Sequence, residues 1–381
     1  MCDGCPHYDP CPLRILIVKL AADGDVLRTT CLLPSLKRTY PTSQIIWVTE
    51  KSAEPLLKHN PLIDRVWAPP ERYLINLLNE RFDLVINTDA ESSSCHLATL
   101  AKAPRKRGFI WGRNGTPLPQ NPAAERWFQM GLWDHLKRTN AETYPAIIHR
   151  IAGVPDVGSP PLLHLTAQEI GDAQRILAKK GWKLPPGRRS SRASARAARP
   201  VIGINTGAGT RWPQKSLPVA TLEKVIGQLL RGRTTARILL LGGPAETERN
   251  QYLAAQFRGR VLDTGTNHSL RQFAALLSQI DVLLTADTLA LHIGLALRKH
   301  VIVHFGPTSP SEIELYGCGE KILPATDSGS CYCNECPKTP KCNELITPLA
   351  VTQAILRGIS VLAQATASDR RCSDGNCESS L

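Results

Sequence analysis

Residues 13–25 read Leu13-Arg14-Ile15-Leu16-Ile17-Val18-Lys19-Leu20-Ala21-Ala22-Asp23-Gly24-Asp25. An aliphatic, largely β-branched run closed by a polar, glycine-bearing turn is the pattern of a strand buried on both faces. The residues from Val26 to Arg38 then read as one helix. Asp25 stands near its start and Lys37 and Arg38 near its end, both favourable to the helix dipole, and Tyr40-Pro41 stops it. Ile45–Val48 and Leu84–Asn87 are further strands. Strand and helix in alternation predict a parallel sheet wrapped by helices.

The pattern restarts after residue 200. Val201–Asn205 is a strand leading into Thr206-Gly207-Ala208-Gly209-Thr210, Leu222–Leu230 a helix, and Ile238–Leu241 a strand ending on Gly242-Gly243. Leu270–Leu277 is helical, and Val282–Thr285 and the run from Val301 to Phe305 are strands. At ~100–200 residues per domain, 381 residues accommodate two such units. The fold expected is therefore α/β, two doubly wound Rossmann-like domains. The boundaries expected are a cysteine-containing segment 1–12, a first domain 13–184, a linker or loop 185–200, a second domain 201–350, and a C-terminal stretch 351–381. That last stretch is expected as a helix returning toward the first domain, with a cysteine-containing tail.

Lys and Arg outnumber Asp and Glu by 46 to 33, a net charge of +13 that favours an anionic partner. Five of those charges are arginines in the segment 187–199, which has no acid and no large apolar residue. A solvated linker is the plain reading of that segment, and a contact for acidic lipid or acceptor phosphate the sharper one. Removing it from the count leaves the folded domains less basic, and aromatics are only 5%, so nucleic acid is not the expected partner. Apolar runs fall far short of the ~20 residues of a membrane-spanning helix, and Met1–Pro6 does not read as a secretory signal. A cytoplasmic protein is expected.

Ligands of doubly wound sheets bind at the carboxyl ends of the strands. Four turns there carry chemistry. Asp25, beside Asp23, is placed either to act as a general base or simply to cap its helix. The stretch Asn205 to Lys215 reads either as small residues bringing backbone N–H groups to a phosphate that Lys215 can reach, or as a structural left-handed turn; it is neither a Walker loop nor G-x-G-x-x-G. Asp287-Thr288-Leu289-Ala290 opens a helix with His292 one turn later, so amides, the Thr288 hydroxyl and the imidazole can meet a diphosphate and Asp287 can hold sugar hydroxyls; a satisfied core histidine is the plainer reading of His292 alone. His304–Pro310 is a small-residue turn after a strand.

Taken together these turns resemble glycosyltransferase family 9, the ADP-heptose:lipopolysaccharide heptosyltransferases and their relatives. The matching pieces are Ile15–Leu20 with Gly24-Asp25-Val26, Asn205–Gly209 with Arg211-Trp212 and Lys215, Leu241–Pro244 with Glu246, Asp287-Thr288 with His292, and Phe305–Thr308. They follow the family's order from about residue 13 to 350. The resemblance implies a GT-B architecture with the active site between the domains, the acceptor on the first and the nucleotide sugar on the second. It implies Asp25 as catalytic base and Thr206, Gly207, Gly209, Thr210, Lys215, Asp287, Thr288, Leu289, Ala290 and His292 around the donor, with Glu246 and His268 near the nucleoside. Leu289 stands where many members have glycine, and Leu217-Pro218 where the commonest has Trp-Pro. Both departures bear on the donor sugar. Inverting transfer follows, with the leaving diphosphate met by Lys215 and helix N-termini. No catalytic cofactor is required by this inventory. The implied partners are a nucleotide sugar, a glycolipid or glycan acceptor, and peripheral contact with the inner membrane.

Cys331, Cys333, Cys336 and Cys342 form a tight group; Cys2, Cys5 and Cys11 form a second, and Cys372 with Cys377 a third. A structural zinc or an iron–sulfur cluster, disulfides, and inert thiols are all readings of such clusters. Cys31 and Cys95 sit in apolar helices and read as core. Two other functions use the same features. One is a sugar-nucleotide epimerase on the same fold. The other is a nucleic-acid or metal-binding module built on the arginine segment and the cysteines.

Overall fold

The computed structural model describes residues 13–69, 73–182, 200–232, 235–326, 330–333 and 338–373. The arginine-rich segment 187–199, Cys2, Cys5, Cys11, Cys336 and Cys377 lie outside them. The chain forms two compact units. The first runs to His164 and takes in Ser311–Glu314; the second runs from Leu165 to Pro310 and resumes at Leu315.

The first unit holds β1 (Arg14–Val18), β2 (Gln44–Val48), β3 (Arg65–Trp67), β4 (Leu84–Asn87), β5 (Arg105–Trp111) and β6 (Pro117–Pro119), in the order β3-β2-β1-β4-β5-β6. All pairs are parallel except β5 with β6. The second holds β7 (Val201–Asn205), β8 (Arg237–Leu241), β9 (Val261–Asp263), β10 (Val282–Ala286), β11 (His300–His304) and β12 (Gly319–Ile322), in the order β12-β11-β10-β7-β8-β9, all parallel. In each sheet the strand order reverses beside the first strand, between β1 and β4 and between β7 and β10. These reversals open a crevice at the carboxyl edge.

The two-residue period of a strand explains why β1 is apolar throughout. Ile15 and Ile17 enter one layer with Val26, Leu33, Leu36 and Ile148. Leu16 and Val18 enter the other with Leu77, Phe82, Leu97 and Ala98. In the second unit Ile202 and Ile204 pack against Val225, Ile226 and Leu229. Gly203 faces the other way, where a Cβ would stand 2.6 Å from the Ile280 side chain.

Three expectations need correction. The helix read from Val26 to Arg38 is two helices, Asp23–Thr29 and Leu32–Thr39. Pro34 has no N–H to continue the ladder, and the Thr29 and Thr30 hydroxyls bond back to the carbonyls of Asp25 and Leu27, each at 2.6 Å. The first domain ends at His164 rather than 184. Helix Ala167–Lys179 belongs to the second unit, where it buries Ala173 and Leu177 and Glu169 accepts Arg271 Nε and Nη2 at 2.7 and 2.6 Å. The C-terminal helix Pro348–Ser373 belongs to the second unit. Val351, Ala354 and Ile355 complete the second unit's core, Thr352 donates to Gln228 at 2.7 Å, and Arg357 pairs with Glu320.

The Glu169–Arg271 pair makes acid stability testable. Hydrogen bonds from Arg271 hold the Glu169 carboxyl down at about 2, against an ordinary 4.5. A depressed carboxyl stabilises the fold above its unfolded value, and that contribution is lost as pH falls through the window down to about 2. The parent is expected to lose melting temperature more steeply than Glu169→Gln across that window. Parallel slopes would show that the pair adds nothing.

Candidate active site

In the first unit, β1 leads into Lys19 and β4 into Asp89, so the strand-order reversal brings the two side chains together. Lys19 is 5% exposed, its Nζ 3.0 Å from Asp89 Oδ2 and donating to the Ala21 carbonyl at 2.6 Å. Burial opposes its charge, yet Tyr144, Asp25 and Asp89 together hold its pKa above the ordinary lysine value. Asp25 is the third residue of its helix and not the cap. That place belongs to Ala22, which has no side-chain cap bond. The Asp25 Oδ1 meets Arg28 Nη2 at 2.9 Å, and the Arg28 guanidinium lies 3.6 Å from the centroid of the Tyr144 ring. Beside them is a cavity of about 390 Å³ lined by Arg28, Asp89, Trp127, Phe128, Lys137 and Glu312 among others.

In the second unit the turns after β7, β8, β10 and β11 carry the polar groups. The Thr206 hydroxyl is buried and donates to Asn250 Oδ1 at 2.5 Å, and Arg249 Nη1 donates to the Thr206 carbonyl at 2.5 Å. Gly209 needs its left-handed φ of 67°, and Gly207 leaves no room for a Cβ, which would stand 2.2 Å from Glu246 Oε1. Thr210 is exposed. The Glu246 carboxylate, 6% exposed, accepts Gly209 N at 3.0 Å and Gly243 N at 2.8 Å, tying the turn after β7 to the turn after β8.

Lys215 closes the short helix Pro213–Lys215. Its Nζ lies 2.8 Å from both the carbonyl and Oδ2 of Asp287, and the Thr308 hydroxyl donates to the same Oδ2 at 2.9 Å. Directly after Asp287, Thr288 caps the helix Leu289–Ala296 by backbone position only. Its hydroxyl is 3.3 Å from that of Thr285. The amides of Leu289 and Ala290 thus begin a helix N-terminus beside a lysine. His292 is buried one turn on, and His268 shares a ring nitrogen with the Thr264 carbonyl at 3.1 Å.

Lys215, Asp287, Thr288 and Thr308 are thus brought together, and Glu246 is joined to the Gly207–Gly209 turn. Lys19, Arg28, Asp89 and Tyr144 escaped the sequence reading. Lys19 directly follows β1 and Asp89 comes two residues after β4, which is a readable signal, but their pairing depends on which strands are neighbours. Cys31 and Cys95 are fully buried, as expected of core residues. Cys331 and Cys342 are partly buried and Cys333 is exposed. Among the described residues no group of three or more His, Cys, Asp or Glu is placed to hold a metal ion.

The tie made by Glu246 predicts a stability effect. Glu246→Ala would remove the acceptor of two amides at partly buried hydrogen bonds, a loss of ~0.5–1.5 kcal/mol for each bond. At roughly 2–4 °C per kcal/mol for a unit of this size, a thermal melt should reveal it, with Glu246→Gln losing less. An unchanged melting temperature would mean that the two turns are held by other bonds.

Two doubly wound sheets in tandem, each with charged groups gathered where its strand order reverses, make up the GT-B architecture. The model of glycosyltransferase family 9 (heptosyltransferase) matches residues 72–345, and the chain belongs to that family. It is 25% identical over 329 residues to lipooligosaccharide heptosyltransferase 2 of Haemophilus ducreyi, covering 78% of this chain and 85% of the relative. Among solved structures, the family 9 glycosyl transferase of Veillonella parvula superposes with a TM-score of 0.69 at 19% identity, over 92% of this chain and 98% of that one. The E. coli ADP-heptose lps heptosyltransferase II gives 0.62 at 19% identity, over 93% and 99%. Among the described residues no helix is long and apolar enough to cross a membrane.

Proposed function

We propose that this glycosyltransferase moves heptose from ADP-heptose to the core of a lipopolysaccharide precursor, with inversion at the anomeric carbon. The observation that carries the reading is the Lys215–Asp287 pair at the start of helix Leu289–Ala296. An ammonium and a helix N-terminus side by side form a seat for a diphosphate. The donor named for the E. coli relative is ADP-heptose, and the curated relative acts on lipooligosaccharide by its name.

In this reading the acceptor enters the cavity beside Arg28. Its hydroxyl attacks the anomeric carbon while its proton passes to the Asp25 carboxylate. The bond to the diphosphate breaks on the opposite face, so configuration inverts. The charge that grows on the leaving oxygen is met by Lys215 and the amides of Leu289 and Ala290. Thr206 to Thr210, set by Glu246, lie along the same carboxyl edge, and His268 and His292 complete the donor surroundings. A lipid-borne acceptor places the work at the cytoplasmic face of the inner membrane.

A thermal-shift panel of ADP-, UDP- and GDP-sugars tests the donor, since a ligand at 100 times its Kd adds ~2.7 kcal/mol. ADP-heptose should stabilise most, and ADP should be released only when acceptor is added. Stabilisation by UDP- or GDP-sugars alone would overturn the donor assignment. Turnover of the nucleotide sugar without acceptor would point to an epimerase.

A further inference from the structure

We infer that Arg28 is the positioning residue of Asp25, held on the Tyr144 ring so that its guanidinium keeps the carboxylate ionised and in one place beside the cavity. The inference rests on Asp25 being the base. An i,i+3 ion pair on an open surface is worth little, because two mobile side chains must be ordered to form it. Here the ordering is already done. The Arg28 side chain is 15% exposed. Its platform, Tyr144, is 3% exposed.

The platform is itself fixed. Thr29 Oγ1 lies 2.6 Å from the Asp25 carbonyl and 2.7 Å from Tyr144 Oη. A hydroxyl has one proton to donate. The carbonyl can only accept, so the Thr29 proton goes there and Tyr144 must donate to Thr29. The contacts close a ring: Asp25 carboxylate, Arg28, Tyr144, Thr29, and back to the Asp25 backbone. The base is bound to its own helix through a second element, helix Tyr144–Ala152.

Other charges face this group. Asp23 shares the helix and bonds Ser52, and Glu54 on the neighbouring helix pairs with Lys51. Lys19 interacts electrostatically with Asp25, yet its ammonium is in contact with Asp89 and the Ala21 carbonyl. Arg28 touches the Asp25 carboxylate at 2.9 Å, and it also lines the cavity. A group seated in that cavity therefore meets the residue that orients the base.

The test compares full pH profiles of kcat/KM for the parent, Arg28→Ala, Arg28→Lys, Tyr144→Leu and Asp25→Asn, with donor affinity measured separately. Removing a contacting cation disfavours the ionised carboxylate, so in Arg28→Ala the acid limb should move up by about one pH unit or more. Its kcat should fall about 10- to 100-fold with donor Kd within about twofold. Arg28→Lys keeps the charge without the planar stack, so the limb should return toward the parent while kcat stays low. Tyr144→Leu should mimic the loss in kcat, and the double variant with Arg28→Ala should lose little more than either alone. A residue that merely stabilised the fold would move none of these limbs. An inactive Asp25→Asn beside an unmoved limb in Arg28→Ala would overturn this inference alone. An active Asp25→Asn would overturn the assignment of the base and this inference with it.

Discussion

Asp25→Asn is expected to lower transfer about 10²–10⁴-fold, the usual cost of losing a general base, while binding of the nucleotide sugar stays within about twofold. The split follows from where the groups stand. Asp25 is on the first unit, whereas Lys215, Asp287 and the helix N-terminus proposed for the donor are on the second. Because Ala22 and not Asp25 occupies the cap position, removal of the charge should not unwind the helix, and asparagine preserves the side-chain shape. Steady-state turnover with saturating acceptor, beside calorimetry with the donor, separates the two effects. Turnover near the parent's would remove Asp25 from the mechanism. Weakened donor binding at unchanged melting temperature would place the residue at the donor instead.

Lys215→Ala is expected to weaken donor binding and to slow the chemical step, by about 10²–10³ in kcat if the ammonium acts as a preorganised donor to the leaving group. An interaction that strengthens as charge builds on the leaving oxygen is lost from the transition state more than from the ground state. The structure adds a second effect. Without the ammonium, Asp287 would keep its Thr308 hydrogen bond but face the incoming diphosphate with one cation fewer beside it. Lys215→Ala with Asp287→Asn should therefore bind donor better than Lys215→Ala alone, without regaining kcat. Lys215→Arg should rescue in part, since a planar guanidinium does not replace a compact ammonium in a tight turn. Donor affinity and turnover both within twofold of the parent would end the placement of the diphosphate here.

Short continuous apolar runs were enough to locate β1, β2, β4, β7, β8, β10 and β11, because each is buried on both faces and spells that burial locally. It was blind to β5, which opens with Arg105-Lys106-Arg107, and to β12, which begins Gly319-Glu320-Lys321. Strands that are charged or partly exposed lose the apolar signal. The helix Ala167–Lys179 was not read from the sequence and fell inside the expected first domain, whereas it belongs to the second unit. Its ties are to residues about a hundred positions away, the bidentate pair of Glu169 with Arg271 and the hydrogen bond of Gln174 to Gln279.

The site divides in the same way. Asp25, Lys215, Asp287 and Thr288 were legible because the turn after a strand, the helix start and the residue types are all local features of the chain. Sequence by itself determined the two doubly wound units, the turns where polar groups would gather and the family to which those turns are similar. Only the tertiary structure decided the partners: Lys19 with Asp89, Lys215 with Asp287 across 72 residues, and Arg28 on the Tyr144 ring. The reason is physical. Burial periodicity depends on neighbours a few residues away, whereas an ion pair at a strand-order reversal depends on which strands lie side by side. That order is set by long-range packing, which no short stretch of sequence encodes.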